Sequence, residues 1–222
     1  MSSDPSVRGI SSKSLVDEVT NEIARAIRSG SLRPGQEFSL REIAGQLGVS
    51  FIPVREALRH LEGQGLVVMR RNRSAMVAPL DVDDLKGIYR LRRRIEPDLV
   101  AASCRLLGDA DYTKLESVLD VFGDEKVGID DVYDAHHDFH RELLRPAATA
   151  WDLRTLETLW RAAERYVRVA FAGRDREHKR RVAAHAVLLD ACRSREGRVV
   201  RRLVDHHLAE NERFALEAIS GR

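Results

Sequence analysis

Two cysteines, Cys104 and Cys192, are all that this 222-residue chain contains, too few for a disulfide framework. Each falls in an apolar helical pattern, where a small buried residue is the ordinary role, so no catalytic thiol is expected. Also absent is any run of 18 apolar residues, which argues against a membrane-spanning helix. The opening MSSDPSVRGISSKS lacks the apolar centre of a secretory signal. A soluble, cytoplasmic chain with no membrane partner is therefore expected. Charge of one sign is scarce too, since 37 Lys+Arg against 35 Asp+Glu leave a formal net charge of +2. That balance hides an asymmetry. Residues 1–80 hold 11 basic and 8 acidic side chains, residues 81–222 hold 26 and 27, and of the 8 histidines only His60 lies in the first part. The length allows two modest domains, and these distributions suggest different work for each. A mild basic excess does not by itself establish a nucleic-acid partner, so the motifs must decide.

What is present begins with SLVDEVTNEIARAIRS at 14–29, where Leu15, Val19, Ile23 and Ile27 recur every four residues as on the buried stripe of a helix. Pro-Gly turn chemistry follows in GSLRPGQEF. Ser39 then stands three residues before Glu42, a capping box that starts a second helix near Leu40. That helix stops at Gly48, Ser50 caps a third, and Pro53 sits in its first turn, where a missing N–H costs nothing. Beyond Gly65, LVVMRRNRSAMVAPL reads as two short strands around a basic tip, Arg70 to Ser74. Helix, tight turn, helix and wing make residues 1–80 a winged helix-turn-helix, with a flexible start over about 1–12.

From Asp81–Asp84 a long helix is expected to reach Leu107, with Leu85, Ile88, Leu91, Ile95, Leu99 and Leu106 supplying its apolar face and Pro97 kinking it. Further helices are expected at about 110–121, 129–145, 149–172, 175–194 and 196–219. The fold class is thus mainly α, with residues 81–222 forming an antiparallel bundle of roughly six helices, a class that builds metal and ligand sites between facing helices.

The stretch SLREIAGQLGVSFIPVREALRHLEGQGLV resembles the helix-turn-helix of the GntR family of bacterial regulators: the Pro-Gly turn, Leu-Gly-Val-Ser, Pro-Val-Arg-Glu-Ala-Leu and the Gly-Leu before the wing are each in place. The resemblance implies that the start of the third helix enters a DNA major groove. Arg55 is the side chain expected to read a base, since a guanidinium can bind guanine bidentately. Arg41 and Arg59 are phosphate candidates. The backbone at Ser50, Phe51 and Ile52 can hold a phosphate at the helix start, with Ser50 adding its hydroxyl. Phe51 stands where family members commonly carry a polar residue, so it either touches a thymine methyl or covers the helix start. Arg71 and Arg73 in the wing add basic contacts, while Ser74 replaces a frequent glycine.

Histidines carry the second part. In AHHDFHREL, His136 and His140 are one helical turn apart and share a face, as two ligands of one metal must, while His137 and Asp138 point elsewhere. His185 lies among Leu188, Leu189 and Cys192, and His207 among Val200, Leu203 and Val204, so both are expected to face the bundle interior. The segments IYRLRRRIEP, HHDFHREL, HAVLLDAC and the late HHL resemble the FCD domain of the FadR subfamily of GntR regulators. In metal-binding members three histidines and an aspartate hold a divalent ion. His140, His185 and His207 match the histidines, whereas His136 stands where the aspartate is expected. A set of neutral nitrogens favours Zn²⁺ or Ni²⁺ over hard Mg²⁺ or Ca²⁺. Arg92 matches the start of an R-x-x-I/L-E segment that lines the effector pocket in relatives, and its fork suits a carboxylate.

Together these imply a metabolite-responsive DNA-binding transcriptional regulator rather than an enzyme. It is expected to be a homodimeric repressor on a pseudo-palindromic double-stranded operator, modulated by a small carboxylate at a divalent-metal site. One alternative is a regulator whose metal is structural or absent. Another is a metal-dependent enzyme, which would require a general base such as the glutamate of HExxH, and none accompanies these histidines.

Overall fold

The computed structural model describes residues 15–70, 74–124, 126–171 and 175–220. The chain divides into two compact units after Pro79. Expectations for the first dozen residues and for Arg71 and Arg73 lie outside the described residues.

In the first unit, α1 (Leu15–Arg28) buries Val19, Ile23, Ala24 and Ile27 against α3 (Phe51–Gly63). Between them α2 (Leu40–Leu47) starts on the expected capping box: the Glu42 amide donates to Ser39 Oγ at 3.1 Å, and the Ser39 amide donates to Glu42 Oε2 at 2.9 Å. Gly48 closes α2 in the left-handed region at φ 65°, a conformation that a side chain would strain. Val54, Ala57, Leu58 and Leu61 of α3 are fully buried, so the helix keeps only one side for solvent.

The sheet is larger than the sequence suggested. Besides β2 (Val67–Arg70) and β3 (Ser74–Val77), the short β1 (Glu37–Ser39) pairs antiparallel with β3, giving the order β1-β3-β2. Three residues with one inward side chain, Phe38, carry too little alternation to announce a strand; pairing with Ala75 makes it one. Arg70 and Ser74 are not tip residues as expected. They face each other in register as the last and first residues of β2 and β3.

The second unit has six helices among the described residues: α4 (Val82–Ser103), α5 (Asp109–Gly123), α6 (Ile129–Leu144), α7 (Ala150–Phe171), α8 (Asp175–Arg193) and α9 (Gly197–Ser220). Asp81 caps α4 by accepting the Asp84 amide at 2.8 Å. The helix runs through Pro97 without interruption and ends at Ser103, short of the expected Leu107. Leu91 and Leu106 are exposed rather than core residues, while Leu107, beyond the helix end, is buried. α4 packs against both α7 and α9. At the start of α9, a Cβ on Gly197 would lie 3.1 Å from the Ala101 carbonyl oxygen, so glycine permits this close approach to α4.

The first turn of α4 is tied to α7 by a buried phenol. Tyr166, fully buried, donates its hydroxyl to Asp84 Oδ2 at 2.6 Å, Arg165 Nη2 donates to the same oxygen at 2.8 Å, and the Asp81 amide lies 3.3 Å from the phenol oxygen. Burial and the Asp84 carboxylate push the Tyr166 phenol up to about 12, so it remains a donor. No helix among the described residues is long and apolar enough to cross a membrane.

Candidate functional site

Two places concentrate chemistry, one in each unit. In the first, the outer start of α3 presents Ser50 and Ile52 to solvent, the latter 62% exposed, with Phe51 half-buried. Ser50 occupies the N-cap in an extended conformation, but its side chain makes no capping bond, contrary to expectation. Ser50 is exposed at the start of α3, and a helix N-terminus is a place that can receive an anion. Arg41 and Arg59 are exposed and Arg55 partly so. Glu56 engages both α3 arginines, accepting from Arg55 Nε at 3.3 Å and Arg59 Nη1 at 3.4 Å. These long, exposed bonds are weak, so a phosphate or base can take either guanidinium.

In the second unit, His136 and His140 of α6 and His185 of α8 converge, with their candidate ligand nitrogens all within 4.8 Å of one another. His140 Nε2 is 3.2 Å from His136 Nε2 and 3.2 Å from His185 Nε2. Nitrogens each ~2.0–2.1 Å from a tetrahedral zinc ion lie about 3.3–3.4 Å apart, so these contacts already match the edges of a coordination sphere. His185 Nδ1 sits 2.6 Å from the Arg181 carbonyl oxygen and donates to it, which leaves Nε2 as the nitrogen with a lone pair. The three residues are 9%, 3% and 0% exposed in chain order.

Burial disfavours imidazolium at each. Loss of solvation, reinforced by Arg181 and the neighbouring rings, holds His136 well below the ordinary histidine range; His140 is lowered likewise by burial and then by His185 and His207. Burial brings His185 down to about 3. Neutral imidazoles with converging lone pairs are the form that binds a transition metal.

His207 on α9 stands at the edge of this trio. Its ring centroid is 4.6 Å from that of His185 and 6.0 Å from that of His140, and its Nε2 is engaged by the Asn211 amide at 3.1 Å. His137 does not join the converging trio. It lies 3.6 Å from Glu164 across the α6–α7 gap, where burial lowers it to about 3. Asp138 is exposed and accepts from Arg141 at 2.7 Å.

Arg92 lies inside, 4% exposed, and shares a cavity with His136, His137, His140 and Trp160. Its guanidinium is held by Glu96, at 2.6 Å from Nε and 3.4 Å from Nη2, and Trp160 Nε1 donates to the same Glu96 at 2.9 Å. A carboxylate reaching Arg92 would meet a cation already neutralised at close range.

The chain matches the family model for bacterial regulatory proteins of the gntR family over residues 15–77, and that of the FCD domain over residues 87–210. It belongs to the GntR family and carries an FCD domain. It is a DNA-binding transcriptional regulator, from a family of regulators rather than enzymes. Among its relatives, the uncharacterized HTH-type regulator BphR of Paraburkholderia xenovorans is 27% identical over 88% of this chain and 83% of its own length. The HTH-type transcriptional repressor RspR of Escherichia coli is 26% identical over 86% of both chains. The fold is shared with E. coli McbR/YncC, with a TM-score of 0.78 at 22% identity over 92% of this chain and 98% of that one. A GntR regulator from Rhodococcus sp. RHA1 gives 0.75 at 25% identity over 91% and 98%.

FCD domains bind small effectors and often metals, and the histidine cluster here has the donors to hold an ion. Sequence reasoning missed Glu96, Glu164, Arg181 and Asn211. Glu96 was legible in principle, one turn after Arg92 on the same face. The other three reach the cluster only because α7, α8 and α9 pack around it.

Proposed function

We propose that this regulator is a homodimeric repressor that binds a pseudo-palindromic operator through its first 80 residues and senses a small carboxylate at a divalent-metal site within residues 81–222. The observation that carries the sensing half is the convergence of three buried Nε2 atoms from His136, His140 and His185 at metal-ligand spacing. His207, one ring away, is a fourth candidate ligand. An all-nitrogen set of neutral donors favours Zn²⁺ or Ni²⁺, and leaves the ion's full positive charge to attract an anionic effector. The ion would supply that Lewis-acid charge; the protein supplies the fixed imidazoles and the dry enclosure. The repressor reading is supported by RspR, which is named a repressor. On the DNA side, Arg55 is assigned base reading, and Arg41, Arg59, Ser50 and the amides at Phe51 and Ile52 are assigned phosphate contacts, with Arg71 and Arg73 in the wing.

Differential binding must link the two halves: the effector shifts operator affinity only if the DNA-competent conformation binds it more or less tightly than the alternative. The test uses His140→Ala and His185→Ala. Elemental analysis is expected to show stoichiometric metal in the parent protein and none in either variant, with unchanged helical circular dichroism. Operator titrations with and without metal and acid then measure the coupling. Full metal retention by both variants refutes the site. A purely structural metal is the second reading, favoured by the near-complete burial of His140 and His185; it predicts that metal raises the melting temperature while no acid alters operator affinity.

A further inference from the structure

Along α3 the buried and open positions fall on two sides. Pro53, Val54, Ala57, Leu58 and Leu61 are buried, whereas Ile52, Arg55, Glu56 and Arg59 recur at three- and four-residue spacing on the other side and keep contact with solvent. Arg55, Glu56 and Arg59 carry charge, as an open helix face ordinarily does. Ile52 does not. It is 62% exposed, more than Leu15 and Val68, the other exposed large hydrophobics among the described residues of the first unit. It also stands in the first turn of α3, the end of a recognition helix that contacts base edges, and one turn before Arg55.

Phe51 beside it has different surroundings. It is half-buried and packs against the apolar core of the first unit, as Leu47 and Val49 do. A ring partly covered by that core has less surface to offer DNA than the side chain next to it. Arg55 follows Ile52 by about 4.5 Å along the helix axis, and stacked base pairs rise by ~3.4 Å, so from a helix lying along the groove the two side chains reach neighbouring base pairs. An isoleucine has no donor or acceptor to spend there. The apolar group that a base pair presents in the major groove is the C5-methyl of thymine. Cytosine in the same place would offer its N4 amino group, which Ile52 would strip of water without accepting its hydrogen bond.

We propose that Ile52 is a specificity-determining residue, whose side chain packs on the C5-methyl of an operator thymine within about two base pairs of the guanine read by Arg55. This deepens the base-reading assignment of Arg55 above and rests on it. The two side chains select in different ways. Arg55 rewards a guanine with hydrogen bonds, and Ile52 rewards a methyl while penalising a cytosine that it cannot satisfy.

In the test, the full chain first selects its operator from a pool of random duplexes. Each thymine of the selected site is then replaced in turn by deoxyuridine, which removes the methyl and leaves base pairing intact. Fluorescence anisotropy measures the affinities of the parent, Ile52→Ala and Arg55→Ala, with circular dichroism as the control for folding. Ile52→Ala changes an exposed position and spares the core. Near the guanine whose substitution Arg55→Ala no longer senses, a single deoxyuridine is expected to weaken the parent about fourfold, the worth of one buried methyl group. Ile52→Ala is expected to bind the thymine and deoxyuridine sites equally. A selected site with no thymine near that guanine, or a parent that no deoxyuridine there weakens, overturns the proposal. So does a methyl effect that persists in Ile52→Ala, which gives the contact to another side chain. In each of these cases a lost base preference in Arg55→Ala leaves the Arg55 assignment standing. Unaltered affinity and base preference in Arg55→Ala instead overturn that assignment, and this inference with it.

Discussion

The two units of this chain put their functional side chains in opposite environments. In the first, the residues assigned to DNA sit on the exposed start of α3 and on α2, and their geometry comes from a single stretch of chain whose apolar residues face inward. In the second, the residues assigned to sensing are buried, and no single helix makes the site: α6 contributes His136 and His140, α8 His185, and α9 His207 at the edge. A surface reader needs only a rigid helix with the right side chains outward, so one motif specifies it. An interior sensor needs several helices in register. It also carries a standing cost, because buried polar groups must be satisfied by one another or by a ligand.

That contrast can be broken most severely by acid. His185 is held neutral at about 3 in the folded state against an ordinary 6.5, so between these values the unfolded chain binds more protons and stability rises with pH. Metal-free protein is therefore expected to lose stability progressively as pH falls below 6.5 and down towards 3, by on the order of 5 kcal/mol from His185 alone. Chemical denaturation across that range, followed at far-ultraviolet wavelengths, measures it, and a flat profile would contradict the buried neutral cluster.

A core substitution asks whether the units depend on each other. Leu58→Ala, at a fully buried position of α3, is expected to cost about 2–5 kcal/mol and abolish operator binding. Metal content of the purified variant is expected to match the parent. Loss of metal as well would show that the sensor's packing relies on the first unit.

Smaller and purely local effects are expected on the DNA side. Arg55→Ala should reduce operator affinity by about 1–3 kcal/mol and flatten its preference at one base pair, without changing metal content. Fluorescence anisotropy with a panel of substituted operators measures this, and unaltered affinity sinks the base-reading role. Ser39→Ala removes one half of the capping box and is expected to lower thermal stability by about 0.5–2 kcal/mol. Its effect on DNA binding should follow stability alone.

How far the sequence reached follows the same division. The capping box at Ser39 and Glu42, the left-handed Gly48 and the buried Val54, Leu58 and Leu61 are set by neighbours within four residues, where helix geometry leaves few options. The periodicity that placed His136 and His140 on one face is local in the same sense. What it misjudged depended on distant chain. Leu91 and Leu106 fit the apolar stripe of α4 yet are exposed, because the helix ends at Ser103 and its packing against α7 and α9 selects a different face. That His137 points away from the face of His136 and His140 is read from its own helix, but that it meets Glu164 of α7 is not.

By itself, then, the sequence determined the elements, the DNA-reading motif and the pairing of two histidines, since each depends on spacing along one helix or turn. Only the tertiary structure decided that His185 joins them at 3.2 Å, that Arg92 is neutralised by Glu96, and that Arg181 is buried beside the cluster. Those facts rest on how α6, α8 and α9 pack, and contacts between residues dozens of positions apart leave no period in a sequence to be read.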